Sequence, residues 1–94
     1  MRYPTPMPPL YAPLTKRSVT IASHPTSITL EPAFWAALDQ AAVEADLPLN
    51  AVIARVDAAR LEVVRPPNLA SALRLWLLDR AQRAEPPPEV TPPG

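Results

Sequence analysis

The fold is decided by the stretch Thr26-Ser27-Ile28-Thr29-Leu30-Glu31-Pro32-Ala33-Phe34-Trp35, where a short alternating segment runs straight into a helical one. Ile28 and Leu30 fall on one side of an extended chain and Ser27 and Thr29 on the other, which is the period of a half-buried strand. Pro32 ends that strand and has the φ of a first helical turn. Because a lone strand has two unpaired edges, we expect it to need a partner, most simply the same strand of a second copy.

The residues just before this stretch also alternate. Over residues 16–22, Val19 and Ile21 share one side and hydroxyl residues the other, which predicts a second strand. Residues 23–25 separate the two strands. They are compatible with a turn between two strands and with a kink in one long extended arm, and the pattern leaves both open.

Two amphipathic helices follow. Apolar residues at three- and four-residue spacing predict the first over residues 32–45, with Trp35 as a core anchor. Pro48 opens the second, which we expect to end near Arg60 or Leu61. The turn between them is short, so the two helices should pack as a hairpin.

A third helix is predicted over residues 69–83. Pro66 and Pro67 prevent the second helix from continuing, and Asn68 is a good N-cap for the next one. Its large apolar residues cover more than one side: Leu73, Leu75, Trp76, Leu77 and Leu78. We therefore expect this helix to be buried both in its own subunit and in a dimer interface, with Trp76 as a second core anchor.

Proline divides the chain into one domain and two tails. Of the 15 prolines in 94 residues, ten lie before residue 15 or after residue 85. Residues 1–15 and 85–94 are therefore expected to be disordered or polyproline-like, which leaves residues 16–84 as the domain. A core of that size is marginal for an isolated monomer and has no cysteine to reinforce it, so oligomerisation is expected.

The charge is balanced, with nine basic and nine acidic residues. This balance weighs against strong non-specific binding of nucleic acid, although a dimer can still carry one locally basic face. The sequence shows no apolar stretch typical of a signal peptide or a membrane span, which predicts a cytoplasmic protein with no membrane partner.

The residue types that carry catalysis are scarce. His24 is the sole histidine, there is no cysteine, and the one glycine is Gly94. These counts argue against a metal site and a glycine-rich phosphate loop, and no serine has a base and an acid at a recognisable spacing. We expect no enzyme activity and no cofactor.

Five blocks of sequence, in order, resemble a bacterial subfamily of small ribbon-helix-helix domain proteins. They are Lys16-Arg17-Ser18-Val19-Thr20-Ile21 with His24, then residues 26–35, Leu49-Asn50-Ala51-Val52-Ile53-Ala54, Asp57-Ala58-Ala59-Arg60 and Asn68-Leu69-Ala70-Ser71-Ala72-Leu73-Arg74. The resemblance implies a mostly α fold with a short β-ribbon, an intertwined homodimer and, here, an additional C-terminal helix.

The resemblance also implies which residues bind DNA. The ribbon of such proteins enters the major groove, outward strand side chains read bases, and amides at the start of the second helix hold a phosphate. Ser27 and Thr29 would be readers, with Ser18 and Thr20 as further candidates if the earlier strand forms the ribbon. The phosphate site would fall at Leu49 and Asn50, next to Pro48, where relatives commonly carry a serine cap.

Lys16 and Arg17 are adjacent at the start of a strand, and a dimer would bring four such charges to the ribbon, so both are predicted to contact phosphates. The function predicted first is a dimeric DNA-binding transcriptional regulator. The alternative is a protein-interaction or antitoxin-like module with the same fold and weak or no DNA binding. Zero net charge, Glu31 beside the ribbon and Pro48 favour that alternative.

Overall fold

The structure is a computed structural model and describes residues 8–84 of the chain. Two antiparallel strands are followed by three helices, which confirms the predicted ribbon and its additional C-terminal helix. The elements are β1 (Thr15–Ile21), β2 (His24–Leu30), α1 (Pro32–Ala45), α2 (Leu49–Arg60) and α3 (Leu69–Ala84).

The two strands form a hairpin within one chain, called the ribbon below. The partner of β2 is β1 of the same molecule, so β2 is not the lone strand with two unpaired edges that was expected, while pairing of β2 with its own copy stays a prediction. The physical reason lies in the connection, where Ala22 and Ser23 have φ of 51° and 70°. Positive φ at both central residues is the geometry of the two-residue turns whose twist matches a hairpin.

The first two helices begin at prolines or just after them and end as their sequences predict. Pro32 occupies the first turn of α1, and Asp46 ends it in the left-handed conformation, with its N–H donated to the carbonyls of Ala42 and Val43. Pro48 is the N-cap of α2, and its φ of −66° and ψ of 152° are the extended conformation typical of an N-cap residue.

The third helix is capped by a side chain. Asn68 Oδ1 accepts a hydrogen bond of 2.8 Å from the N–H of Ser71. This contact satisfies one of the first N–H groups of α3, which have no partner within the helix, and confirms Asn68 as the predicted N-cap.

One core joins all five elements. Leu30, Leu38, Ile53 and Leu73 are fully buried, one each from β2, α1, α2 and α3. Val19 of β1 belongs to the same cluster. The ribbon is therefore fixed to the helices through its inner side.

The two predicted tryptophan anchors differ in burial. Trp35 is 2% exposed and lies within the core, as predicted. Trp76 packs against the core but remains partly exposed, because it lies at the edge of the inner side of α3.

The third helix has a second apolar side that nothing in residues 8–84 covers. Leu75 and Leu78 are 58% and 54% exposed, whereas Leu73 and Leu77 are buried in the core. The prediction that α3 is apolar on more than one side is confirmed for the single chain.

The expected tails fall mostly outside the described residues. Residues 1–7 and 85–94 lie there, while residues 8–14 form no helix or strand and expose Leu10, Tyr11 and Leu14. Within residues 8–84, no helix is long and apolar enough to cross a membrane.

Candidate nucleic-acid interface

The ribbon presents one polar side to solvent. Alternation along β1 and β2 points the side chains of Lys16, Ser18, Thr20, Ser27 and Thr29 away from the core, and all five are exposed. These five residues are called the outer face. It contains all four hydroxyl residues that the sequence predicts as readers, together with Lys16, one of the residues predicted to contact phosphates.

The pairing register brings these side chains next to one another. Lys16 is opposite Thr29, Ser18 is opposite Ser27, and Thr20 is opposite Pro25. Directly opposite side chains in an antiparallel pair are about 5 Å apart at Cβ, so the four hydroxyls form a compact patch. Each hydroxyl can both donate and accept a hydrogen bond.

The charge of the outer face is positive and small. Lys16 is its one cation, and none of its side chains is a carboxylate. A two-stranded ribbon is narrow enough to enter the major groove of B-DNA, and short hydroxyl side chains let the backbone approach the bases closely. The patch is chemically suited to base edges and phosphates.

Arg17 lies on the opposite side of β1 from Lys16. Its guanidinium donates two hydrogen bonds to the carboxylate of Asp39, at 3.2 Å and 3.1 Å, and lies 4.7 Å from the ring centroid of Trp35. Trp35 in turn donates from Nε1 to the carbonyl of Thr15 at 2.8 Å. The structure thus separates two residues that the sequence grouped together, and Arg17 contacts α1.

The sequence does not predict this cluster of Arg17, Trp35 and Asp39. Trp35 and Asp39 are four residues apart on α1, so they share one side of the helix. That spacing is visible in the sequence, but the pairing with Arg17 depends on the tertiary arrangement that brings its side chain to α1.

At the end of the ribbon, an ion pair neutralises the carboxylate of Glu31. Glu31 accepts hydrogen bonds from Arg74 of α3, with N–O distances of 3.0 Å and 2.9 Å, and Arg74 stacks on Phe34 at 5.6 Å. A hydrogen bond from its own backbone N–H and the contact with Arg74 lower the pKa of Glu31 below its ordinary value of 4.5. The negative charge of Glu31 is therefore compensated beside the ribbon.

The predicted phosphate site lies at the start of α2. Leu49 and Asn50 are the first two residues of the helix, where N–H groups have no intrahelical acceptor and the helix dipole favours an anion. The carbonyl of Pro48 accepts from the next two amides, those of Ala51 and Val52, at 3.0 Å and 3.3 Å. Two amides thus remain at this position for an anion.

His24 starts β2 beside the turn and is exposed. Among residues 8–84, no three histidine, cysteine, aspartate or glutamate side chains are grouped so that they could hold a metal ion.

Comparison with known families agrees with this arrangement. The model of the family described as "Ribbon-helix-helix domain" matches residues 14–81, which covers both strands, α1, α2 and most of α3. The chain belongs to the ribbon-helix-helix domain family, whose members are commonly DNA-binding regulators or antitoxins. No curated protein and no solved structure is significantly similar to the chain.

Proposed function

We propose that this protein is a dimeric transcriptional regulator that binds DNA by placing its ribbon in the major groove. The observation that carries the proposal is the outer face: five exposed polar side chains, aligned in register, with a positive charge and no carboxylate. The family match supports the same reading, since DNA binding is common in that family.

The outer face suggests a role for each residue. Ser27 and Thr29 read base edges from β2, and Ser18 and Thr20 do so from β1. Lys16 contacts a phosphate, and the free amides of Leu49 and Asn50 hold another. In this proposal Arg17 fixes the ribbon to α1 and does not contact DNA, and Lys16 contacts the phosphate.

A homodimer would double this surface. The exposed Leu75 and Leu78 of α3 are the apolar side chains that a second copy would cover, and each strand of the ribbon has one edge free of any strand in residues 8–84. A regulator that acts on bacterial DNA works in the cytoplasm, which is therefore the compartment proposed for this protein.

The test is a salt titration of binding between the full chain and pooled genomic fragments. If two Lys16 side chains per dimer contact phosphates, log K should fall with log salt with a slope of about −2. Lys16→Ala should flatten the slope and weaken all sequences alike, whereas Thr29→Ala should change sequence preference with a smaller effect on the slope. Arg65→Ala is the matched control, because Arg65 is exposed in the connection between α2 and α3. Absence of salt-dependent binding at low ionic strength would contradict the proposal.

The alternative is a protein-interaction or antitoxin-like module with the same fold. It is favoured by the zero net charge and by the ion pairs that occupy most of the described arginines: Arg17, Arg60, Arg74, Arg80 and Arg83. Arginines held in this way add little to a DNA-binding surface. Such a module would bind a protein partner with an affinity that Lys16→Ala leaves unchanged, as measured by titration calorimetry.

A further inference from the structure

A cleft lies between the three helices, away from the residues of the outer face. It has a volume of about 450 Å³. Its apolar walls come from Ala41 and Ala45 of α1, Leu47, Val52 of α2 and Trp76 of α3. Small side chains on α1 opposite a half-buried indole leave a slot with an aromatic wall, the kind of surface on which proline rings stack.

The rim of this cleft carries an uncompensated positive charge. Arg80 is paired with Glu44 and lies 6.0 Å from the ring centroid of Trp76, and Glu44 also accepts from Gln40 at 2.9 Å. Arg55 also lines the cleft, is exposed, and makes no ion pair with any residue that the structure describes. An occupant of the cleft should therefore be apolar and carry a carboxylate.

We propose that the C-terminal segment of the same chain, Glu85-Pro86-Pro87-Pro88-Glu89-Val90-Thr91-Pro92-Pro93-Gly94, occupies this cleft. Its prolines and Val90 match the apolar walls and the indole of Trp76, and Glu89 matches the free charge of Arg55. The segment has no basic residue to oppose either arginine at the rim. This inference does not rest on DNA binding.

The length of the segment is sufficient. It follows Ala84, the last residue of α3, which is eight residues beyond Trp76 and so about 12 Å along the helix axis. Ten residues in a polyproline conformation span about 31 Å, which leaves enough chain to reverse direction and return to the level of Trp76. Bound there, the segment would keep other acidic, proline-rich peptides out of the cleft.

A spin label tests this placement in the full chain. The chain has no cysteine, so Thr91→Cys provides one labelling site. The label should broaden the side-chain N–H signal of Trp76 in a nitrogen-15 spectrum more strongly than that of Trp35, which is buried and bonded to Thr15. A label at Thr5→Cys, in the N-terminal tail, should broaden the Trp76 signal less than the label at Thr91→Cys does.

Charge variants test whether Glu89 pairs with Arg55. Arg55→Glu or Glu89→Lys should each reduce the broadening of Trp76, and the double variant should restore it. Arg65→Glu is the matched control, since Arg65 is exposed and lies outside the cleft. Salt at about 1 M, where the Debye length is about 3 Å, should weaken the effect in the parent chain.

Three outcomes would overturn the proposal. The first is a Trp76 signal that the Thr91→Cys label does not broaden, which would mean that the segment does not occupy the cleft and that the cleft is open to a separate partner. The second is broadening by the Thr5→Cys label in place of the Thr91→Cys label. The third is broadening seen only when labelled and nitrogen-15 chains are mixed, which would assign the segment in the cleft to a second copy.

Discussion

Lys16 and Arg17 show how the pleat of a strand gives two neighbouring cations different surroundings. Lys16 points to solvent on the outer face, while Arg17 points to α1 and is held by Asp39 and Trp35. An ion pair of this exposure contributes at most about 1 kcal/mol, and stacking on an indole adds about as much. Arg17 should therefore act on stability and Lys16 on binding.

Alanine substitutions at these two positions form a matched pair with the same change in charge. Arg17→Ala should lower the free energy of unfolding by about 1 to 2 kcal/mol, because it removes the bidentate ion pair and the contact with Trp35. Lys16→Ala should change it by less than about 0.5 kcal/mol. Urea denaturation measures both, and equal effects of the two substitutions would contradict the assignment.

Two carboxylates make stability depend on pH in acid. Arg74 and a backbone N–H lower the pKa of Glu31, and hydrogen bonds from Gln40 and then Arg80 lower that of Glu44, in both cases below 4.5. A pKa that is lower in the folded state than in the unfolded state stabilises the protein above pH 4.5. That contribution is lost as the pH falls through the lowered pKa.

We therefore expect the melting temperature to fall as the pH is taken below 4.5. Glu31→Gln should lose part of this dependence, while Glu62→Gln, in the exposed connection after α2, should keep the full dependence of the parent chain. Thermal melts between about pH 7 and about pH 3 measure the difference. Parallel curves for Glu31→Gln and the parent chain would show that Glu31 does not contribute.

At the scale of elements, helices were easier to predict than the pairing of strands. The prolines at positions 32 and 48 and the asparagine at position 68 mark helix starts through local chemistry, and each marks one in the structure. The sequence does not decide between a hairpin and a kinked arm, because the turn Ala22-Ser23 contains neither glycine nor asparagine, the residues that usually signal positive φ. The outward hydroxyls could be predicted from alternation alone, whereas the contact of Arg17 with α1 needed the tertiary arrangement.

The turn between β1 and β2 holds its two residues in an unfavourable conformation, so residues suited to positive φ should stabilise the protein there. Positive φ costs an ordinary residue about 1 kcal/mol or more, so changing Ala22→Asn together with Ser23→Gly should raise the free energy of unfolding by about 1 kcal/mol. Ala36→Gly, within α1, should lower it by about 1 kcal/mol, because glycine weakens a helix. Destabilisation by the turn variant in denaturant melts would be inconsistent with a hairpin of this geometry.

At the scale of the whole molecule, two features of residues 8–84 stay unexplained by one chain: an apolar stripe on α3 and the free edges of the strands. Leu75 and Leu78 lie exposed on α3 while the opposite side of that helix completes the core. Exposed leucines one turn apart favour self-association when a core is small. The homodimer proposed above would explain both the stripe and the free edges.

The dimer is tested at the apolar stripe. Leu75→Lys combined with Leu78→Lys should shift the full chain from dimer to monomer in sedimentation equilibrium at micromolar concentration, because two charges from each chain would have to be buried in the interface. Val43→Lys, on the exposed side of α1, is the control and should leave the association unchanged. A parent chain that is already a folded monomer at this concentration would contradict the dimer and the DNA-binding mode that depends on it.

The most direct test of the central claim is a nuclear magnetic resonance titration of the full chain with a short DNA duplex at low ionic strength. If the outer face of the ribbon binds DNA, the largest shifts should fall on Lys16, Ser18, Thr20, Ser27 and Thr29, and they should diminish as salt is added. The side-chain signals of Arg17 and Trp35, on the inner side, should move little. Absence of shifts, or shifts confined to the helices, would contradict the account.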